Sequence, residues 1–382
     1  MIRIALFASA AALTACSSQA TPPEPLPDGT IVSEDGYRIV PLAEGLEFPW
    51  GMAELPNGDL LVTEREGRLR LIHEGELVAA PVSGAPQDAL VDGQGGYFGL
   101  ALDPDFSTNR RLYLSYAKGT KTDNATTVVS ATLSEDGMAL SDVTEIFSGQ
   151  SRDTSFHFGG RLAFMPDGTL LVTMGEGYKY MDEAQNPENL HGAMARINPD
   201  GSLPADNPFV TGGGHPALYT YGHRNVQGLV VDAARGKVFA HEHGPKGGDE
   251  INLIEPGNNY GWPKVTFGIN YDGTIITEKT EAPGMQQPLY KWVPSIAPSG
   301  MSLVQTAGFE AWADDLLVGA MNGPRGHKLV HVDLDAAGNV VGAEDLLDDL
   351  QLPFRDVLST PSAIYLATAD LDGVVYRLEK LD

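Results

Sequence analysis

The sequence predicts an all-β fold, a single six-bladed β-propeller. Three observations lead there: a strand-pair pattern that recurs six times, a composition rich in turn residues, and no repeat that contains a long amphipathic helix. Of 382 residues, 44 are glycine and 26 proline, which punctuate many short elements. Hydrophobic residues at 42% and charged residues at 20% suit a globular chain with a sizeable core.

The clearest unit of the repeat is an apolar strand that follows a polar turn, often Asp-Gly or Asn-Gly. It reads Asp59–Val62, Arg111–Leu114, Thr169–Val172, Lys237–Ala240, Asp315–Val318 and Ala363–Leu366. From Leu60 to Ile364 the period averages about 61 residues, room for the four strands of one blade. A partner strand precedes each: Gly51–Ala53, Phe98–Leu102, Arg161–Phe164, Gly228–Val231, Met301–Val304 and Asp356–Leu358. Two β-sandwiches would also be all-β, but the same turn chemistry recurring six times favours the ring. Closure should pair the C-terminal run Gly373–Leu378 with an N-terminal strand such as Tyr37–Pro41, which removes the exposed edges.

Ahead of the repeats, Arg3 precedes an apolar run from Ile4 to Leu13 that ends in Leu13-Thr14-Ala15-Cys16. The run is too short to span a bilayer and reads as a lipoprotein signal peptide over residues 1–15, with Cys16 the lipidated residue. Residues 16–30, rich in Ser, Pro and Thr, then form a tether, and residues 31–382 form the propeller. Cys16 is the only cysteine, so disulfides and thiolate chemistry are excluded. Ser17 is not the aspartate associated with inner-membrane retention. The expected location is therefore the periplasmic side of the outer membrane, with the lipid anchor as the sole membrane contact. Lys+Arg of 25 against Asp+Glu of 51 gives a net charge of −26, which repels nucleic acid.

In a propeller the inner strands run the same way along the axis, so residues just before them converge on one mouth. That rule selects Gln94, His157, Arg224 with Asn225, and Arg355. His157 lies in Phe156-His157-Phe158-Gly159-Gly160, where it reads either as a structural histidine or as a base. Arg224 offers a guanidinium fork, for an anionic or carbonyl ligand or for a channel salt bridge. The widest gap between repeats holds His241-Glu242-His243-Gly244-Pro245 and Asp249-Glu250. His241 and His243 suggest zinc, but no third ligand stands at recognisable spacing. Calcium fits better, with Glu250 and the Gly244 and Pro245 carbonyls as candidate oxygens.

At these residues the chain resembles the pyrroloquinoline-quinone-dependent soluble aldose (glucose) dehydrogenases, from about Phe48 to Leu378. The matching stretches are Asp92–Gly96, His157–Leu162, Tyr221–Gly228, Glu242–Asn252, Asn259–Pro263 and Gly268–Tyr271. The resemblance implies oxidation of an aldose sugar at C1 to its lactone. His157 would take the hydroxyl proton while hydride passes to the quinone, whose carbonyl is polarised by Arg224 and calcium. It implies Gln94, Asn225 and Tyr271 as cofactor-positioning residues, Arg355 as a further cofactor contact, Gly244 and Pro245 as active-site calcium ligands, and Glu250 and Tyr260 at a second calcium. The electron acceptor is not identified by any motif. Asn322 and Pro353 stand where the family has a lysine and an arginine facing the cofactor carboxylates, and Arg325 is a nearby substitute. A calcium-dependent lactonase and a cofactor-less sugar-binding propeller are the competing readings.

Overall fold

Backbone pairing follows the repeat. In the computed structural model, which describes residues 26–323 and 326–381, the strands form six antiparallel sheets. Five sheets contain four strands each, taken in chain order from residues 49–77, 97–148, 162–221, 226–292 and 298–346. Their innermost strands are Pro49–Glu54, Tyr97–Leu102, Leu162–Phe164, Val226–Asp232 and Pro298–Leu303. With Phe354–Ser359 of the sixth sheet they touch one another in a ring.

The sixth sheet closes that ring as expected. Gly373–Lys380 pairs on one side with Ile364–Thr368 and on the other with Tyr37–Leu46, in a register that sets Ile39 opposite Leu378. A short strand, Ile31–Val32, adds a fifth member outside.

The second strand of each blade is apolar on both faces because a neighbouring blade covers each side. Every residue of Leu60–Glu64, Leu170–Met174 and Ile364–Thr368 is buried. The core therefore lies between blades. One cluster joins Leu61 and Leu69 of the first blade to Tyr97, Leu112 and Val129 of the second, and another joins Leu317 and Leu329 of the fifth to Ile364 and Leu378 of the sixth.

The expected signal peptide, Cys16 and Arg325 lie outside the described residues. Among the described residues no helix is long and apolar enough to cross a membrane.

Candidate active site

His157 sits on the connection that leads into the inner strand of the third blade, in a left-handed backbone conformation with φ of 49°. Such a conformation is held only where surroundings impose it. Here the His157 N–H donates to Gln94 Oε1 at 2.8 Å, and its carbonyl accepts from Arg152 Nη1 at 2.8 Å. Arg152 is itself buried, with its guanidinium 4.2 Å from the Phe158 ring centroid. The two glycines that follow are required: a Cβ on Gly159 would meet the Thr173 carbonyl at 2.6 Å, and one on Gly160 would meet Phe98 at 2.7 Å.

The His157 side chain is 7% exposed. Its Nδ1 lies 3.2 Å from Glu176 Oε1, close enough for charge attraction although too oblique for an aligned hydrogen bond. That carboxylate favours the tautomer with hydrogen on Nδ1, which leaves the Nε2 lone pair as the basic position. Burial first, and then the charge of Arg224, push the imidazole pKa below its usual value, while Glu176 pulls it partly back. Arg224 is thus one of the charges that act on His157, although neither residue lines the cavity described next. Glu176, in Gly175-Glu176-Gly177 beyond the strand Leu170–Met174, was not selected from the sequence. Its backbone N–H donates to the Arg224 carbonyl at 2.9 Å, tying base and arginine together.

A cavity of roughly 210 Å³ opens at this mouth. Its aromatic wall is Trp50, Phe98 and Phe158, with neighbouring ring centroids 5.4 and 5.3 Å apart. Its polar lining comprises Gln94, Asn225, Gln227 and His243, with Arg65 and Arg355 as the cations. No carboxylate lines it among the described residues. Burial pushes the His243 pKa down to about 3, against the opposing pull of the Pro298 carbonyl 2.6 Å from Nε2, which favours a neutral imidazole. Arg355 is buried: Nη2 donates to Gln227 Oε1 at 2.8 Å, Nε has no partner among the described residues, and the guanidinium carbon lies 4.2 Å from the Trp50 ring centroid. Burial, and then Arg161, lower its pKa while Asp356 opposes them, and an anionic ligand would favour the charged guanidinium.

Three of the sequence-selected residues, Gln94, Asn225 and Arg355, therefore line one cavity. Asn225 Oδ1 accepts from the Gly159 N–H at 3.1 Å, bridging the third and fourth blades beside His157. Arg224 is buried just outside the lining. Its Nη1 donates to the carbonyls of His243 at 3.2 Å and Gly244 at 2.9 Å, and its guanidinium carbon lies 5.3 Å from the Trp262 ring centroid. Tyr271 is not brought to the cavity: it is 59% exposed in the turn after Asn270. Asn322 Nδ2 donates to the Ser295 carbonyl at 2.6 Å, and neither it nor Pro353 lines the cavity.

The candidate metal ligands divide. The Gly244 carbonyl is engaged by Arg224, and the Gly244 N–H donates to Asp249 Oδ1 at 2.9 Å, so Asp249 anchors the loop that presents Gly244 and Pro245. Glu250 lies opposite Glu242 in the strand pairing, and Asn252 Nδ2 donates to Glu250 at 3.0 Å and to Glu242 at 3.4 Å. Burial, and then Glu242, raise the Glu250 pKa. The Tyr260 hydroxyl donates to the Leu253 carbonyl at 2.6 Å and accepts from the Glu255 N–H at 2.9 Å, so its backbone carbonyl is the oxygen left for a cation. His241 is fully buried against Gly228, where a Cβ would meet Nε2 at 2.1 Å. Among the described residues no cluster of three His, Cys, Asp or Glu side chains is placed to hold a metal, which leaves the zinc alternative without a ligand set.

Comparison with known proteins adds an independent line. Residues 46–377 match the glucose/sorbosone dehydrogenase family. The aldose sugar dehydrogenase YliI of Escherichia coli (strain K12) is 37% identical over 88% of this chain and 91% of its own length. Quinoprotein glucose dehydrogenase B of Acinetobacter calcoaceticus is 32% identical over 69% of this chain and 60% of its own length. Among solved structures, the PQQ-bound form of aldose sugar dehydrogenase from Streptomyces coelicolor aligns with a TM-score of 0.74 at 28% identity. That alignment covers 90% of this chain and 97% of the other.

Proposed function

The chain belongs to the glucose/sorbosone dehydrogenase family and is a sugar dehydrogenase, and from that premise we propose that it oxidises an aldose at C1 to the lactone with pyrroloquinoline quinone (PQQ) and calcium. The observation that carries the reading is a buried histidine with a carboxylate 3.2 Å from Nδ1, beside a cavity whose described lining has aromatic walls, two arginines and no acid. A planar aromatic tricarboxylate suits that lining by shape and charge. Gln94, Asn225 and Arg355 would hold it, with Arg224 alongside.

When bound, the quinone supplies a two-electron acceptor for the hydride leaving C1, and the electrons pass on to a separate acceptor. His157 Nε2 takes the C1 hydroxyl proton as the C1–H bond breaks, which closes the carbonyl of the lactone. Glu176 keeps the opposite nitrogen protonated, and stabilises the imidazolium that forms. Calcium suits two places. At the Gly244 and Pro245 carbonyls, a cation would compete with the Arg224 guanidinium. At Glu250, it would offset the repulsion from Glu242 and draw on the Tyr260 carbonyl. The test is to add quinone and calcium to purified protein and follow sugar-dependent dye reduction. Absence of reduction across a panel of aldoses, with quinone demonstrably bound, would reject the activity.

The charge environment sets a pH signature. The base works only when neutral, at pH above its folded pKa, and that pKa lies below 6.5. The acid limb of kcat/KM is therefore expected below pH 6.5. Glu176→Gln removes a group that raises the pKa, so the limb should move to still lower pH while kcat falls. Movement to higher pH would contradict the role given to Glu176.

For location, we infer attachment through Cys16 to the periplasmic face of the outer membrane, on the sequence around that residue. Cys16→Ser should shift the protein from the membrane fraction to the soluble periplasm, and an unchanged distribution would reject the anchor.

A further inference from the structure

Arg65 is a cation of the cavity that no motif selected. It follows the strand Leu60–Glu64, and its backbone N–H donates to the Phe48 carbonyl at 3.0 Å. Its guanidinium carbon lies 4.4 Å from the Phe48 ring centroid, and both residues line the cavity. Its charge reaches Arg355, since Arg65 is among the groups that lower the Arg355 pKa.

Little nearby neutralises Arg65. Its ion pair is a 3.8 Å contact with Glu66, and both side chains are about one-third exposed. The buried neighbour Glu64 is committed elsewhere: Oε2 accepts from Arg68 at 2.5 Å, and Oε1 accepts from Arg70 at 3.1 Å and from the Glu47 N–H at 2.7 Å. In a chain with twice as many acids as bases, a pocket whose described lining holds two arginines and no carboxylate runs against the composition. Two like charges held within range of each other favour a ligand with more than one negative group.

We propose that Arg65 binds a carboxylate of the quinone cofactor, acting with Arg355, so that the first blade and the closing blade together clamp the acid groups. The inference rests on the cofactor reading above. It makes Arg65 a second source of positive charge, beside Arg355, in a cavity that neither Asn322 nor Pro353 lines.

The test is calorimetric titration of PQQ, and of its trimethyl ester, into the calcium-loaded full chain and its variants. Arg65→Gln is expected to weaken binding of the free acid about 10- to 100-fold, and Arg65→Lys, which keeps the charge but not the fork, by less. For the trimethyl ester, wild type and Arg65→Gln should bind alike, because the charge partner is gone. A structural role would not produce that difference between ligands. Free-acid binding by a folded Arg65→Gln equal to wild type would overturn the proposal, as would equal weakening for acid and ester. Failure of the wild type to bind PQQ at all is a separate outcome and overturns the cofactor reading, and this inference with it.

Discussion

His157→Asn is expected to lower kcat by roughly 100- to 10,000-fold, the range for loss of a positioned general base. Quinone affinity should stay within a few-fold of wild type, and the melting temperature should change little. Asparagine is the informative replacement because it tolerates the left-handed backbone found at residue 157. It keeps the backbone donor to Gln94 and the acceptor for Arg152, and removes only the basic nitrogen. The transition state loses its proton acceptor, while the lining residues Gln94, Asn225 and Arg355 are untouched. Steady-state kinetics beside a quinone titration and a thermal melt separate these effects. Turnover within tenfold of wild type would remove His157 from the base role.

Leu378→Ala is expected to destabilise the whole propeller by about 2–5 kcal/mol, the usual cost of emptying a buried leucine site. Leu378 is 3% exposed and lies in register with Ile39 on one side and Ile364 on the other, both fully buried. The pairing with Ile39 joins chain segments more than 300 residues apart in the blade that closes the ring, so the loss should appear in global unfolding rather than in local fraying. Val341→Ala, at a 60% exposed site in the strand Val340–Leu346, should cost no more than about 0.5 kcal/mol. Denaturant midpoints measure both. Equal, small effects would mean that closure contributes little to stability.

Parts of the site were legible because a propeller converts sequence position into axial height. Gln94, Asn225 and Arg355 precede or enter inner strands of different blades, and the structure brings them to one cavity. Tyr271 shows where that rule ends. It belongs to the long connection between Asp249–Leu253 and Tyr290–Trp292, which has no strand period to set its depth, and the turn leaves it exposed. Arg224 stands at the expected height, yet its fork is turned to the carbonyls of His243 and Gly244, a choice made by backbone 19 and 20 residues further along. Glu176 and Arg65 each follow the second strand of a blade, outside the positions selected by the inner-strand rule, and no local pattern distinguished them from the chain's many other charged residues.

The amino-acid sequence by itself determined the number of blades, the strand pairs within them, the closing partners and the histidine at the mouth, because hydrophobic period and turn chemistry act over a few neighbouring residues. Only the tertiary structure decided which nitrogen of His157 meets Glu176, which of the described arginines line the cavity, and that no acid among the described residues accompanies them there. Those outcomes depend on side chains from separate blades meeting at the axis, where burial and charge are set by neighbours that lie far apart along the chain.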